Sequence, residues 1–450
     1  MKLRSSKQTQ PKGDGGQATM TFLTFRQLRF RCKLGFSMSG PSSRFPPNGS
    51  SRTPLRLNAR SSERHFTSSL HTACCHQSPA FAPVYPEDIP DPHLSVFTAM
   101  PRPKVTIFGT GGTIAGSAAD ACQTTGYAPA VLTVDALIRE VPELGQAAQL
   151  RSEQLVNVGS PDITSAQLLR MAQRIQKELD GDCHGVVVTH GTDTIEETAF
   201  FLELTIQSDK PVVLVGAMRP ATAHSADGPM NLLCGVNLAA NRCAKKRGVM
   251  IVLNDRICAP RFTTKTNANS LDSFKATEQG YLGVFVNSQP VFYYPPCRPL
   301  SHNYFNVTRC NAAAGLPDVD ILYGHLGLRS GLFKAAVDQG AGGIVLAGMG
   351  AGCWNTEDGK RIMSFVEKRG KAVPVVASRR TAWGFVGVTS NYGLGDSCIG
   401  GGFLDPHKCR IQLQLALAAG LDAASIREVF EGNRPGAAVA ESRIREWRIL

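Results

Sequence analysis

The sequence lacks the patterns that define several large classes of protein. No apolar run reaches the ~18 residues that a membrane-spanning helix needs, so we expect no membrane segment. The thirteen cysteines are scattered and form no CxxC pair, which argues against a zinc framework or a disulfide ladder. We therefore expect reduced thiols in an intracellular protein.

Acidic residues are scarce in the first hundred positions, which hold thirteen Lys and Arg against five Asp and Glu. This part carries eight of the twelve net positive charges and leaves four for residues 101–450. Because the remainder is only mildly basic and shows no basic face interleaved with aromatic residues, we do not expect nucleic-acid binding.

Residues 1–100 are rich in Ser, Arg and Pro and show no sustained periodicity, which is typical of a disordered extension. Two alternatives stay open. An Arg-rich, acid-poor leader can be a mitochondrial transit peptide. The chain could also start at Met100, which directly precedes PRPKVTIFG, where a folded domain begins. We expect a cytoplasmic protein, with a mitochondrial location as the alternative.

From residue 104 onward, short runs of Val and Ile alternate with helix-like segments, which predicts an α/β fold with a parallel sheet. Buried strands are predicted over 104–109, 185–190, 211–217 and 249–254, and helices over 165–179 and 194–206. A loop-like stretch at 289–317 precedes a second alternation. We predict a larger lobe over 101–295, a linker over 296–318 and a smaller lobe over 319–450.

A glycine-rich turn, IFGTGGTIAGS, follows the first predicted strand. Ser117 stands where a Walker A loop needs Lys, and Ile114 stands where a dinucleotide fingerprint needs its third Gly. These substitutions argue against nucleotide and dinucleotide binding. What remains is a tight turn at the sheet edge where ligands bind, and Thr113 lies in it as either a local cap or a reactive hydroxyl.

The motif HGTDT places Thr192 and Asp193 between a buried strand and a helix, at the same predicted sheet edge as Thr113. They could cap the helix or face a cleft. A threonine hydroxyl is a weak nucleophile that needs a neighbouring base, and Lys265, in a polar loop, could supply it. Tyr127 can pass a proton, and Ser160 is either a cap or a ligand-binding hydroxyl.

Four motifs in the same order and spacing closely resemble the bacterial-type L-asparaginases, the asparaginase/glutaminase family. The motifs are TGGTIAG (110–116), HGTDT (190–194), GAMRPATAHSADGPMNL (216–232) and TTKTNA (263–268). The resemblance covers about residues 104–435. It implies a two-lobe α/β fold with a smaller, Rossmann-like C-terminal lobe, no metal or organic cofactor, and a homotetramer.

The resemblance also implies a role for each candidate residue. Thr113 would attack the side-chain amide carbon, assisted by Tyr127, and Thr192 would be the second essential threonine, with Lys265 and Asp193 completing a triad. The same resemblance implies that Ser160 and Asp193 bind the substrate and that backbone N–H groups near Thr192 and Ala217 form an oxyanion hole. The implied reaction converts L-asparagine to L-aspartate and ammonia through an acyl-enzyme.

Two positions depart from the family pattern. Pro161 stands where periplasmic members usually have Gln, and it can donate no hydrogen bond. The loop at 384–406 lacks the Glu that the family takes from a neighbouring subunit. An ungapped match puts Ser390 there, and Asp396 is a candidate substitute. A broader amidohydrolase or glutaminase, an amide-hydrolysing subunit of a tRNA-dependent amidotransferase and a non-catalytic scaffold remain alternative interpretations.

Overall fold

The computed structural model describes residues 101–298, 303–368, 373–387, 393–432 and 445–449. The extension over residues 1–100 and the candidate position Ser390 lie outside the described residues. None of the helices in the described ranges is long and apolar enough to cross a membrane.

Most of the strands belong to two sheets. Strands alternate with helices as the sequence predicts, except over residues 249–323, where the described strands follow one another without an α-helix. The strands are β1 Lys104–Gly111, β2 Gln149–Val158, β3 Gly185–Thr189, β4 Val212–Val215, β5 Val249–Leu253, β6 Arg256–Cys258, β7 Thr264–Lys265, β8 Phe274–Lys275, β9 Gly283–Val286, β10 Gln289–Phe292, β11 Asn303–Asn306, β12 Val319–Tyr323, β13 Gly343–Gly348, β14 Val375–Arg379, β15 Ile399–Gly400 and β16 Arg445–Arg448. The helices are α1 Val134–Arg139, α2 Leu144–Ala147, α3 Ser165–Leu179, α4 Ile195–Thr205, α5 Gly228–Ala240, α6 Gly331–Asp338, α7 Thr356–Lys368, α8 Pro406–Ala418 and α9 Ala423–Glu431.

The larger sheet has the strand order β10-β9-β6-β5-β4-β3-β1-β2, and its strands from β2 to β5 are parallel. Strand β3 is fully buried because both sheet faces are covered. Val186 and Val188 belong to the apolar cluster on one face, and Val187 belongs to the cluster on the other. Helix α5 packs on one face, and α3 and α4 contribute to the core on the opposite face.

Strands β6, β9 and β10 extend this sheet in the antiparallel direction, which the prediction of a parallel sheet did not include. The reversal between β5 and β6 occurs at Asn254 and Asp255, whose φ angles of 51° and 58° are left-handed. Asn and Asp tolerate this conformation better than most residues, and two consecutive left-handed residues make a tight hairpin turn.

The smaller sheet has the order β12-β13-β14-β15 with all neighbours parallel. Helix α8 packs against the smaller sheet and also contacts α4, which packs on the larger sheet. As a result, the core around α4 contains residues of both sheets, among them Val188, Val345 and Val376. The predicted α/β fold with a larger and a smaller sheet is confirmed, although the larger sheet is mixed.

The prediction of a loop over 289–317 is wrong at two places. Gln289–Phe292 forms β10, and Asn303–Asn306 forms β11, which pairs in parallel with β16 near the end of the chain. Tyr304 and Phe305 are almost fully buried. Because the partner strand of β11 begins at Arg445, no local pattern could reveal the pairing. The predicted linker over 296–318 therefore contains a strand of the core.

Helix α5 approaches the sheet most closely at Gly235, where an added Cβ would lie 2.5 Å from Val215 Cγ1. We predict that Gly235→Ala lowers the free energy of unfolding by about 1–3 kcal/mol through overpacking. Gly145→Ala is the matched control, because its added Cβ would meet nothing within 4 Å. Urea unfolding at fixed protein concentration measures both variants, and an equal change in the two would contradict the close packing.

Candidate active site

Four neighbouring parallel strands, β2, β1, β3 and β4, bring the predicted site residues to one edge of the larger sheet. Ser160 follows β2, Thr113 follows β1, Thr192 and Asp193 follow β3, and Ala217 follows β4. The carboxyl ends of parallel strands form the edge at which α/β proteins bind ligands. The sheet therefore gathers segments that are about a hundred residues apart in the chain.

The turns after β1 and β3 touch through two glycines. A Cβ atom on Gly112 would lie 2.2 Å from Gly191 Cα, and one on Gly191 would lie 2.7 Å from Ser160 Oγ. Gly112 also has a φ of 78°, a conformation that favours glycine. Because Thr113 and Thr192 directly follow these glycines, the backbone contact places both threonines in the same region.

Thr113 lies in a short 3-10 turn and is 9% exposed. Its Oγ1 is 2.7 Å from the hydroxyl of Tyr127, and either oxygen can be the donor. Burial raises the pKa of Tyr127, and the nearby charges of Asp193 and Asp227 raise it further, against the hydrogen bond from Thr113. Tyr127 is therefore a phenol at neutral pH, which can accept a proton from Thr113 only if it passes its own proton on.

Thr192, Asp193 and Lys265 form the second group. Lys265 Nζ lies 3.0 Å from Thr192 Oγ1 and 2.7 Å from Asp193 Oδ1. The Lys265 side chain is 14% exposed, whereas that of Asp193 is 64% exposed. The lysine thus approaches the buried threonine from the protein side, and Asp193 remains accessible to a ligand.

Thr192 and Asp193 do not cap helix α4, which was the alternative interpretation of the HGTDT motif. Helix α4 has no side-chain cap hydrogen bond among the described residues, and Thr194 Oγ1 instead donates to the carbonyl of Ser160 at 2.9 Å. Ser160 is 4% exposed and lies against Gly191. The predicted binding serine is therefore fixed directly beside the turn that carries Thr192.

The turn that carries Ala217 is held by two side chains that the sequence analysis did not single out. Asp227 accepts from the backbone N–H groups of Met218 and Arg219, each at 2.9 Å. Asn231 Nδ2 donates to the carbonyl of Gly216 at 2.9 Å. Both residues belong to the motif over 216–232, and this membership was the sequence evidence that could have identified them. Their hydrogen bonds to the backbone were not predictable from the sequence.

An open cleft with a volume of about 210 Å³ lies beside these groups. Tyr127, Thr192, Asp193, Met218 and Lys265 contribute to its wall. The wall of the cleft thus contains Tyr127, the partner of Thr113, together with Thr192 and its neighbours Asp193 and Lys265. A small ligand in it could meet the Thr192 hydroxyl, a carboxylate and a lysine, and also the Tyr127 hydroxyl that contacts Thr113.

His190, which opens the HGTDT motif, is fully buried beneath this cleft edge. Its Nδ1 lies 2.8 Å from the carbonyl of Gly191, an arrangement that requires Nδ1 to carry the proton. Nε2 has no hydrogen-bond partner in the part of the chain that the structure describes. Burial lowers the pKa of His190 to about 4, so the ring is neutral at physiological pH and supports the turn as an uncharged group.

Comparison with known proteins decides the family. The family profile described as Asparaginase, N-terminal matches residues 104–298, and the Glutaminase/Asparaginase C-terminal domain matches residues 318–430. The chain belongs to the asparaginase family. The resemblance predicted from four sequence motifs is therefore confirmed.

Several members of the asparaginase family are similar over most of their length. L-asparaginase 2-3 of Saccharomyces cerevisiae is 48% identical over 332 residues, which cover 73% of this chain and 90% of the yeast protein. L-asparaginase 2 of Bacillus subtilis is 44% identical over 329 residues, covering 73% and 86%. A crystal structure of a probable cytoplasmic L-asparaginase from Campylobacter jejuni has a TM-score of 0.68 at 42% identity, covering 73% of this chain and 99% of that one.

The two departures from the asparaginase pattern have different outcomes. Pro161 lies within the 3-10 turn Ser160–Asp162, directly after the buried serine. Asp396 is exposed, and its carbonyl accepts from Arg427 Nη2 at 2.5 Å. The structure does not bring Asp396 into the cleft wall formed by the described residues. Asp396 as the substitute acid therefore stays a prediction that concerns a neighbouring subunit.

The burial of His190 has a consequence for stability. A histidine whose pKa is lower in the folded chain binds fewer protons there than when unfolded, so stability falls as the pH drops from about 6.5 toward 4. We predict that His190 accounts for a loss of about 2 kcal/mol between pH 7 and pH 5.

Chemical unfolding at the two pH values, at fixed protein concentration, compares wild type with His190→Asn. The asparagine retains a side-chain N–H donor but does not titrate. The variant should lose about 2 kcal/mol less than wild type between pH 7 and pH 5. An identical pH dependence in both proteins would contradict the account.

Proposed function

We propose that the chain hydrolyses L-asparagine to L-aspartate and ammonia through an ester intermediate on Thr113. The observation that carries the proposal is that two threonines with hydrogen-bonded partners, Thr113 with Tyr127 and Thr192 with Lys265, follow neighbouring strands. Tyr127, Thr192 and Lys265 line one cleft. The names of the similar yeast and Bacillus proteins, which are L-asparaginases, supply the substrate.

In the first step, Thr113 Oγ1 forms a bond to the side-chain amide carbon of the substrate. Its proton passes to the oxygen of Tyr127, which gives its own proton to the leaving nitrogen. The carbon–nitrogen bond breaks, and ammonia leaves. This exchange suits Tyr127 because its raised pKa keeps it a proton carrier rather than a phenolate at neutral pH.

In the second step, water attacks the ester carbon and releases aspartate from Thr113. The Lys265 nitrogen, as an uncharged amine, can take a proton from this water through the Thr192 hydroxyl, and this is the proton that returns to Thr113. Asp193 Oδ1 lies 2.7 Å from the same nitrogen. Thr113 recovers its proton as the ester bond breaks. The two threonines thus have different partners because they serve different steps of the reaction.

The negative oxygen that develops on the substrate needs donors that are already in place. The backbone N–H groups near Thr192 and Ala217 can provide them, since Asp227 and Asn231 hold the turn that contains Ala217. Ser160 and Asp193 bind the charged groups of the amino acid. Pro161 removes one donor from this region, so the contact with the substrate carboxylate depends more strongly on Ser160.

We also propose a cytoplasmic homotetramer. The name of the Campylobacter jejuni structure supports the location for that relative. Exposed apolar residues at sheet edges support assembly, because such edges are usually covered in a native protein. They are Val286, Val291 and Tyr293 at one sheet and Ile321 and Tyr323 on β12 of the other.

The test is ammonia release by the purified full chain, with L-asparagine and L-glutamine compared from micromolar to millimolar concentrations. We expect release from asparagine, with a preference over glutamine of roughly 10-fold to 200-fold, since one extra methylene is worth ~1–3 kcal/mol in a pocket. No release from asparagine by the folded protein would overturn the proposal.

The same assay applied to Thr113→Val and Thr192→Val examines the two hydroxyls separately. Each variant keeps the side-chain shape, so we expect an intact fold and a loss of turnover by orders of magnitude. Thr205→Val is the matched control, because among the described residues its buried hydroxyl donates to the carbonyl of Phe201 in its own helix, away from the candidate site. A near-wild-type rate in either site variant would remove that threonine from the mechanism.

A further inference from the structure

The position of Lys265 depends on a very short element. The residue ends β7, a strand of two residues that pairs with β8, and the hairpin connects them through an exposed loop. A two-stranded hairpin of this length is marginally stable by itself. A contact from outside the hairpin must therefore hold the backbone of Lys265 while its Nζ reaches Thr192.

Glu196 supplies this contact. The residue lies in the first turn of α4 and is only 7% exposed, and its Oε2 accepts from the backbone N–H of Lys265 at 2.8 Å. Thr192 and Asp193, which the lysine side chain contacts, lie just before the same helix. The lysine is therefore tied to the turn of α4 twice, by its backbone through Glu196 and by its Nζ through Thr192 and Asp193.

The start of α8, which packs on the smaller sheet, also contacts the segment that carries Lys265. His407 Nε2 lies 3.3 Å from Glu196 Oε1, a close approach without hydrogen-bond geometry, and this nitrogen has no hydrogen-bond partner among the described residues. The neighbouring Lys408 has a fully buried side chain whose Nζ donates to the carbonyl of Thr263, two residues before Lys265. Asp405 lies 3.2 Å from Lys408 Nζ and 2.9 Å from Arg379 Nη2, which compensates the buried charge.

An acidic residue in the first turn of a helix is usually explained by its attraction to the helix dipole, which needs no burial and no partner. Glu196 differs because its two oxygens face two other segments, the hairpin and α8. A buried carboxylate with this arrangement costs desolvation free energy, which its contacts must offset. The dipole alone therefore does not explain why Glu196 is placed inside the protein.

We propose that Glu196 is a positioning residue for Lys265, and that Lys408 at the start of α8 holds the hairpin in register through the carbonyl of Thr263, while His407 packs beside the second carboxylate oxygen of Glu196. The inference rests on the proposed function, in which Lys265 acts with Thr192. It gives the smaller unit a part in the geometry of the threonine site, since α8 fixes the segment that carries the lysine.

Two conservative variants separate the hydrogen bond from the charge. Glu196→Gln keeps the length of the side chain and an oxygen that can accept from the Lys265 N–H, but removes the charge. Glu196→Asp keeps the charge but draws the oxygen back by one methylene. We expect Glu196→Asp to lower kcat by roughly 10-fold to 100-fold with KM almost unchanged, and Glu196→Gln to retain most of the activity.

Glu197→Gln is the matched control, because this neighbouring acid lies 3.9 Å from Arg410 and belongs to neither threonine group. It should leave kcat and KM unchanged. Thermal unfolding of each variant checks the fold. Loss of kcat in Glu196→Gln equal to that in Glu196→Asp, or wild-type kcat in Glu196→Asp, would overturn the inference.

Lys265→Met distinguishes failure of this inference from failure of the proposed function. If Glu196 acts through the lysine, Glu196→Asp should cause no further loss of kcat in the Lys265→Met background. A further loss there would show another route and overturn the inference alone. Wild-type turnover by Lys265→Met would instead remove the lysine from the mechanism and overturn that part of the proposed function.

Discussion

The backbone contact between Gly112 and Gly191 is the constraint on which the threonine site depends. A Cβ on Gly112 would lie 2.2 Å from Gly191 Cα, so no other residue fits at this crossing without a shift of the main chain. The contact joins the ends of the adjacent strands β1 and β3. Since each glycine is followed directly by a threonine, the same contact places Thr113 and Thr192 on turns that touch each other.

A second constraint is the burial of α4 between the two sheets. Ten of its eleven residues are buried, so its polar side chains need partners inside the protein. Glu196 accepts a hydrogen bond from the hairpin of Lys265, and its other oxygen lies 3.3 Å from His407 of α8. Helix α4, which begins directly after the turn of Thr192, therefore contacts both α8 and the backbone of Lys265. The contacts that pack α4 in the core are therefore also contacts that position Lys265.

Strongly patterned elements were predictable from the sequence. Helix α3 was predicted with its observed bounds because its apolar residues recur at helical spacing. The structure adds a capping box between Thr164 and Gln167 at its start. Strand β3 was predicted within one residue because a run of valines is typical of a buried strand. The pairing of β11 with β16 was not predictable, since each strand has four residues and its partner is distant in the chain.

The candidate site shows the same division. Thr113, Thr192, Asp193 and Lys265 lie in recognisable motifs, and the structure brings them to one edge of the sheet. Glu196 was missed because a glutamate at a helix start has a simpler explanation in sequence terms. Its role becomes visible only when the fold places the Lys265 N–H and His407 beside its carboxylate.

The most direct test of the account is to identify the threonine that carries the intermediate. The full chain is mixed with L-asparagine, quenched in acid during turnover and digested, and the peptides that contain Thr113 and Thr192 are compared by mass spectrometry. The account predicts an aspartyl ester on the Thr113 peptide. An ester on the Thr192 peptide, with none on the Thr113 peptide, would contradict it.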